Sequence, residues 1–364
     1  MRIFMVHEDP WHAGNPYIST LIEETKRQHP ECVIDWGRER FWSESIYSFD
    51  IVHFHWPQTF MANDSHSETD LLRHIETMKR SGVTVVSTCH DLEPHYNQYA
   101  NQAESLRIVY SKCNAIFHLG EFSKLLFEKK YPNTIHLILP HHVYDTVYHV
   151  FPSREESLRN LHLPPHRIYI LCFGTFRDDA ERNLVISLYK KMRNDSVSIL
   201  APGFIDVKIT SLRFFSQWAK KIYYKHKYHI LCSGKTWGAV TDSELPYFYG
   251  AADIAFIQRL KILNSGNAVL PMLFGKVVVG PDCGNVGPLL KKWGYPVFSV
   301  DDTSDIGNIV SKGIEMEKEG YGKKHREKQI QQYSTTAIVG KMYSSYEELR
   351  RNAKSYYKDN GSEQ

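Results

Sequence analysis

Residues Ile254–Gly287 read IAFIQRLKILNSGNAVLPMLFGKVVVGPDCGNVG, and their order decides the fold. Ile254-Ala255-Phe256-Ile257 is an apolar run of strand length, and Asn264-Ser265-Gly266-Asn267 is a small polar turn. Ala268–Phe274 reads as a short apolar helix, Gly275-Lys276 ends it, and Val277-Val278-Val279 opens a second strand running into Gly280-Pro281. Strand, turn, helix, glycine and strand make a βαβ unit with parallel strands. The turn lies at the helix start, where free N–H groups and the positive end of the helix dipole favour an anion. Gly266 lets that anion approach the backbone. An anion site at Asn264, Ser265, Gly266 and Asn267 is the first functional expectation.

The rest of the chain is long enough to repeat this unit. At 364 residues it accommodates two ordinary domains. With 42% hydrophobic and 23% charged residues it is globular rather than disordered. A formal net charge of +3 is too small to argue for nucleic acid. The 6 cysteines are scattered without a C-x-x-C pair, which gives no sign of a zinc knuckle or a thioredoxin-type site. The N-terminal MRIFMVHEDP enters a strand at once, without a signal-peptide apolar core, and no run reaches the roughly 18 to 20 apolar residues that span a bilayer. The chain reads as intracellular.

Upstream, Arg2–Val6 is a first buried strand, followed by a polar loop holding Glu8 and Gly14 and by the helix Ile18–Gln28. Loops after strands of an open α/β sheet lie at its carboxyl edge, where ligands bind. The strand Asp50–Pro57 carries His53 and His55 on one side, which hydrogen-bonded packing explains better than a metal. Leu71–Ser81 is an amphipathic helix, and Val83–Thr88 empties into Cys89-His90-Asp91-Leu92-Glu93-Pro94-His95. A histidine, two carboxylates and a second histidine just past a parallel strand make the best acid–base cluster of the chain. Ala115–Leu119 is another strand, with Glu121 at the following turn, and Thr134–Leu139 closes the first series.

A second series starts at Ile168–Phe173 and turns at Gly174-Thr175-Phe176-Arg177, with Arg182 leading into the helix Leu184–Met192. Val197–Ala201 and His229–Cys232 are further strands. Between them, Leu212–Tyr228 sets Phe214, Phe215, Trp218, Tyr223 and Tyr224 among lysines. Such a face fits anionic lipid headgroups, and equally one packed and one solvated side. Gly234–Val240 is a loop with Trp237, whose indole suits a stacked base or a packed core. Thr303–Glu319 is a helix, Tyr321–Gln332 a polar and basic stretch, and Thr336–Tyr356 a last amphipathic helix. Two strand–helix series imply an α/β protein of two Rossmann-like, doubly wound parallel-sheet domains facing across a cleft.

The order Glu244-Leu245-Pro246-x-x-Tyr249-Gly250-Ala251-Ala252-Asp253-Ile254 resembles the "ELP..Y.AAD" signature of GT-B glycosyltransferases related to family 4. Gly275–Asp282 is similar to their "GKPVVASD", Val85–Asp91 to "vvtvHD", and Gly174–Asn183 falls where "GRL…EKN" opens the second domain. The family pattern carries two glutamates in E-x7-E, and the matching positions here hold Ile262 and Leu270. Leu263-Asn264-Ser265-Gly266 instead resembles the "LNSG" turn of bacterial exopolysaccharide mannosyltransferases that use GDP-mannose and invert.

That resemblance implies a cytoplasmic hexosyltransferase acting from a nucleotide-diphosphate sugar, GDP-mannose first. Its acceptor would be a glycan or lipid-linked saccharide in surface polysaccharide synthesis, met at the inner face of the plasma membrane. Neither metal nor other cofactor is expected. It implies an acceptor domain over 1–147, a nucleotide-sugar domain over 148–333, a helix over 334–358 crossing back to the first domain, and a disordered tail over 359–364. Donor contacts would come from Arg177, Arg182, Arg259, Asn264, Ser265, Gly266, Asn267, Gly14 and Trp237, with Arg182 in place of the lysine of "EKN". Asp91 and His90 would carry catalysis, and Glu8, His95 and Glu121 would face the acceptor. The absent glutamates also fit a non-catalytic binding protein on a GT-B scaffold. A sugar-nucleotide epimerase would want a carboxylate-rich second domain. Dinucleotide redox chemistry is disfavoured, because no G-x-G-x-x-G follows the first strand.

Overall fold

The computed structural model describes residues 1–12, 14–62, 64–94, 101–192, 196–205, 214–232 and 240–360. The chain divides into two compact units, Met1–His142 with Tyr333–Gln364, and Val143–Gln332. Each is built on one six-stranded sheet.

In the first unit the strands are β1 Arg2–Val6, β2 Val33–Trp36, β3 Ile51–Phe54, β4 Thr84–Cys89, β5 Ala115–His118 and β6 Ile135–Ile138, ordered β2-β1-β3-β4-β5-β6. In the second they are β7 Ile168–Leu171, β8 Val197–Leu200, β9 Ile230–Leu231, β10 Ile254–Phe256, β11 Val278–Pro281 and β12 Val297–Phe298, ordered β12-β11-β10-β7-β8-β9. All neighbouring pairs are parallel. Parallel strands are covered on both faces, so they read as continuous apolar runs. Ile3, Phe4 and Met5 of β1 and Ile254 of β10 are fully buried, as that rule requires.

The last helix, Thr335–Asn360, belongs to the first unit. Gln28 Nε2 donates to the Thr336 carbonyl at 3.0 Å, His29 stacks on Tyr343 at 3.5 Å, and Arg350 pairs with Asp50 at 2.8 Å. Deepest of all, the Tyr346 hydroxyl meets His53 Nδ1 at 2.5 Å.

Some elements differ from the sequence reading. The helix expected over Ala268–Phe274 is a 3-10 turn, Gly266–Ala268, followed by a single turn, Leu270–Leu273. Pro271 cannot continue a ladder from upstream, and Gly275 at φ +64 ends the turn four residues later. So short a helix has little dipole to offer an anion. The polar stretch after Gly320 is a helix, Tyr321–Tyr333, held by Gln329 donating to the buried Tyr295 hydroxyl at 2.8 Å. Its lysines, glutamines and glutamate are good helix formers without an apolar period. The helix before β4 begins at Glu68, three residues early, because Ser67 and Asp70 form a capping box.

Candidate functional site

The strand orders show where each sheet can hold a ligand. In the second unit β7 leads outward through β8 to β9, and the chain then returns to place β10 on the other side of β7. At such a switch point the loops after the two central strands part and leave a crevice. The loop after β7 carries Gly174, at φ +99, where an added Cβ would lie 3.2 Å from Asn267 Nδ2. That amide donates to the Phe173 carbonyl at 2.7 Å, which ties the turn after β10 to the loop after β7. Gly203, past β8, comes closer still, since its Cβ would fall 2.3 Å from the Gly174 carbonyl.

Arg259 meets these loops from the segment after β10. Its Nη1 contacts Glu181 Oε1 at 2.8 Å and Oε2 at 3.2 Å, and its Nη2 donates to the Thr175 carbonyl at 2.8 Å. Glu181 also accepts the Arg177 backbone N–H at 2.8 Å, while its own N–H donates to Asp178. Both partners are sheltered, with side chains 11% and 5% exposed. Arg182 spans the same loops, donating to the carbonyls of Phe204 at 3.1 Å and Phe176 at 3.3 Å. Ser265 caps the 3-10 turn by accepting the Asn267 N–H, and Asn264 accepts from Asn285 Nδ2 at 2.7 Å. Gly284, at φ +54, could not carry a Cβ without meeting the Ile262 carbonyl at 2.3 Å. Ile262 and Leu270 are both buried.

The sequence-derived donor residues Arg177, Arg259, Asn264, Ser265, Gly266 and Asn267 thus stand in the carboxyl-edge connections of the second sheet, and Arg182 stands in the first turn of the helix Asp179–Met192, which begins before the expected Leu184. Glu181, Gly203, Gly284 and Asn285 had not been singled out. Asp178-x-x-Glu181 is a capping-box spacing and could have flagged Glu181. Gly14, on the first unit, is exposed, with neither left-handed backbone nor a neighbour within 4 Å to demand glycine. Trp237 and His95 lie outside the described residues.

Because the Arg259–Glu181 pair is buried, deleting one charge strands the other. Arg259→Ala is expected to lower stability by about 3 kcal/mol. Arg259→Ala with Glu181→Ala together should lose much less, as a thermodynamic cycle from denaturant unfolding will read. Additive losses would show that the two groups do not depend on each other.

The first sheet has its own switch point, between β1 and β3. Histidines from the carboxyl ends of several strands crowd there. His55 Nδ1 lies 3.2 Å from His90 Nε2, His90 stacks on Trp56 at 4.0 Å, and Tyr17 stacks on His142 at 5.0 Å. His53 Nε2 meets Thr88 Oγ1 at 2.8 Å, so both its ring nitrogens have partners. Burial holds the pKa of His53, His90 and His142 well below the usual range; neighbouring imidazoles add to it for all three. It lowers His55 to about 3 and His141 to about 4. Asp91 is buried beside His90 and accepts from Gln58 Nε2 at 3.0 Å.

Of the other expected residues, Glu8 is ion-paired with Arg38, which also pairs with the buried Asp64. Glu121 is exposed on the first turn of the helix Glu121–Lys130. Tyr17, Trp56, Gln58, His141 and His142 complete the cluster without having been anticipated. No group of three or more potential metal ligands occurs among the described residues.

No family model matches the chain, and no curated protein matches it. Solved structures do match. Sucrose-phosphate synthase from Thermosynechococcus elongatus is 12% identical, with a TM-score of 0.69 over 96% of this chain and 98% of that one. HepE of Anabaena, solved with UDP-glucose, is 12% identical, with a TM-score of 0.66 over 95% of this chain and 100% of that one. A glycosyltransferase from Rickettsia africae gives 11% identity and a TM-score of 0.65 over 96% and 99%. The architecture of this chain, two Rossmann-like units each on a six-stranded parallel sheet, is the GT-B fold of those glycosyltransferases.

Proposed function

We propose that the chain is a glycosyltransferase that moves a hexose from a nucleotide-diphosphate sugar to a glycan or lipid-linked saccharide in surface polysaccharide synthesis, at the cytoplasmic face of a membrane. The observation that carries this reading is the meeting of the carboxyl-edge loops at the second switch point. Gly174, Gly203 and Asn267 bring bare backbone together there, with Arg259 and Arg182 alongside. Charge grows on the leaving diphosphate as the glycosidic bond breaks, and guanidinium groups and amides stabilise it without a metal. Further support comes from HepE, which has been solved with UDP-glucose and with UDP and glucose. On the "LNSG" turn, GDP-mannose is the favoured donor and inversion the favoured outcome.

In the acceptor half, Asp91 takes the proton of the attacking hydroxyl. His90 stays neutral and positions that hydroxyl, because its surroundings disfavour an imidazolium. Glu8 and Glu121 are proposed at the acceptor's outer rim.

A thermal-shift panel of GDP-, UDP-, ADP- and dTDP-sugars tests the reading, with GDP-mannose expected to raise the melting temperature most. A ligand at a hundred times its dissociation constant adds about 2.7 kcal/mol. Gly174→Val should abolish the shift, since its backbone conformation and the nearby Asn267 amide both exclude a side chain. Sugar transfer should persist in EDTA. Silence across the panel would leave the non-catalytic reading. A changed sugar still attached to its nucleotide would favour epimerisation; a structure titled as a putative UDP-N-acetylglucosamine 2-epimerase has a similar fold.

A further inference from the structure

In the first unit, His55 Nε2 and Gln58 Oε1 are buried atoms with no hydrogen-bond partner among the described residues. The two residues are 1% and 5% exposed. An unmet buried polar atom opposes folding, and each one calls for a physical reason. Here both belong to the connection after β3, His55 directly behind the strand and Gln58 in the turn Pro57–Phe60. Each uses its other polar atom on the connection after β4. His55 Nδ1 lies 3.2 Å from His90 Nε2, and Gln58 Nε2 donates to Asp91 Oδ2 at 3.0 Å.

These contacts set the roles of the two atoms left over. A carboxylate only accepts, so the Gln58 amide must present Nε2 to Asp91, and Oε1 remains as an acceptor. His55 is neutral, because burial and then the nearby His7 imidazole lower its pKa to about 3. A neutral ring carries one N–H. When that proton is on Nε2, Nδ1 accepts from His90 Nε2–H, and the atoms left over are one donor and one acceptor. A hydroxyl complements both, since its oxygen accepts and its proton donates. The opposite tautomer presents two acceptors, which one hydroxyl proton cannot serve.

We propose that His55 and Gln58 are specificity-determining residues that recognise one hydroxyl of the acceptor sugar, next to the hydroxyl from which Asp91 takes the proton. His55 Nε2–H donates to its oxygen, and the hydroxyl donates to Gln58 Oε1. One amide then touches both Asp91 and the recognised hydroxyl, so the two hydroxyls neighbour each other on one ring. Binding also selects a tautomer, with the His55 proton on Nε2. The inference rests on the assignment of Asp91 to the acceptor half.

The test titrates the full chain, ¹⁵N-labelled at histidine, with the methyl α-pyranosides of glucose, mannose and galactose, and follows the imidazole nitrogens by NMR. Their shifts separate a protonated ring nitrogen from a bare one. At least one hexoside is expected to bring His55 saturably to the Nε2–H form. For that hexoside, removal of one hydroxyl should abolish the response and weaken binding about tenfold. His55→Asn keeps a polar atom near the place of Nδ1 and lacks Nε2, so it should bind the parent and that deoxy sugar equally weakly. His55→Gln, which keeps a polar atom near the place of Nε2, should recover part of the preference. A purely structural His55 would leave the ratio of the two affinities unchanged in His55→Asn, and that result would overturn the proposal. So would His55 signals indifferent to every hexoside, the mark of a bound water alone, or a response to GDP-mannose and to no hexoside. Because binding is followed without transfer, full activity in Asp91→Asn would remove the base and leave this response in place.

Discussion

Asp91→Asn is expected to reduce sugar transfer by about 10²- to 10⁴-fold, the usual contribution of a positioned general base. The amide has the shape of the carboxylate and can still accept the hydrogen bond from Gln58 Nε2. What it loses is the capacity to take a proton. His90 cannot substitute, because burial and the flanking His55 and His141 imidazoles oppose a positive charge on it. The loss should fall on kcat, with nucleotide-sugar binding preserved, since the arginines and the Asn264–Asn267 turn proposed for the donor belong to the second unit. Full activity in Asp91→Asn would remove the assignment. Loss of donor affinity as well would point to a structural role.

The second large effect is acid lability of the first unit. His53, His55, His90, His118, His141 and His142 all have folded pKa values below the ordinary 6.5, with desolvation as the leading cause. Below pH 6.5 the unfolded chain therefore binds more protons than the folded one. Stability is complete above that pH and falls as the pH drops toward the folded values, about 3 for His55 and His118 and about 4 for His141. At pH 5 His55, His118 and His141, with folded values of about 3, 3 and 4, each cost about 2 kcal/mol. The combined penalty approaches the roughly 5–15 kcal/mol that holds a domain folded. Tryptophan fluorescence and circular dichroism followed from pH 8 to pH 4 should show cooperative loss of structure near pH 5. Replacing His142 by Phe, which keeps a ring against Tyr17, should make the dependence shallower by about one proton. Stability that stays level from pH 6.5 to pH 4 would contradict this account.

Much of the fold was legible in the chain because parallel strands bury both faces. Runs such as Ile254–Ile257 and Val277–Val279 declare themselves, and the loops after them are the natural places for chemistry. The partners across those loops were not legible. Arg259 and Glu181 are 78 positions apart, and nothing local says that β10 will lie beside β7. Likewise His55, His90 and His142 come from three separate loops, and their crowding follows from strand order rather than from any motif. The shortness of the helix after β10 was readable in the sequence. Pro271 and Gly275 stand only four residues apart, room for a single helical turn, so the amides and side chains of the turn after β10 carry more of any anion binding than a dipole does.

The helix Thr335–Asn360 completes a unit whose sheet lies wholly before Val143. During synthesis the second unit is therefore entirely made before the first can be finished. Domains usually fold in the order in which they leave the ribosome. Here the earlier unit must wait with the seam along His53, Asp50 and His29 open, until Tyr346, Arg350 and Tyr343 arrive. A chain cut short before Thr335 would hold a whole second unit joined to an unclosed first one, so the intactness of the first unit reports that this helix has been made.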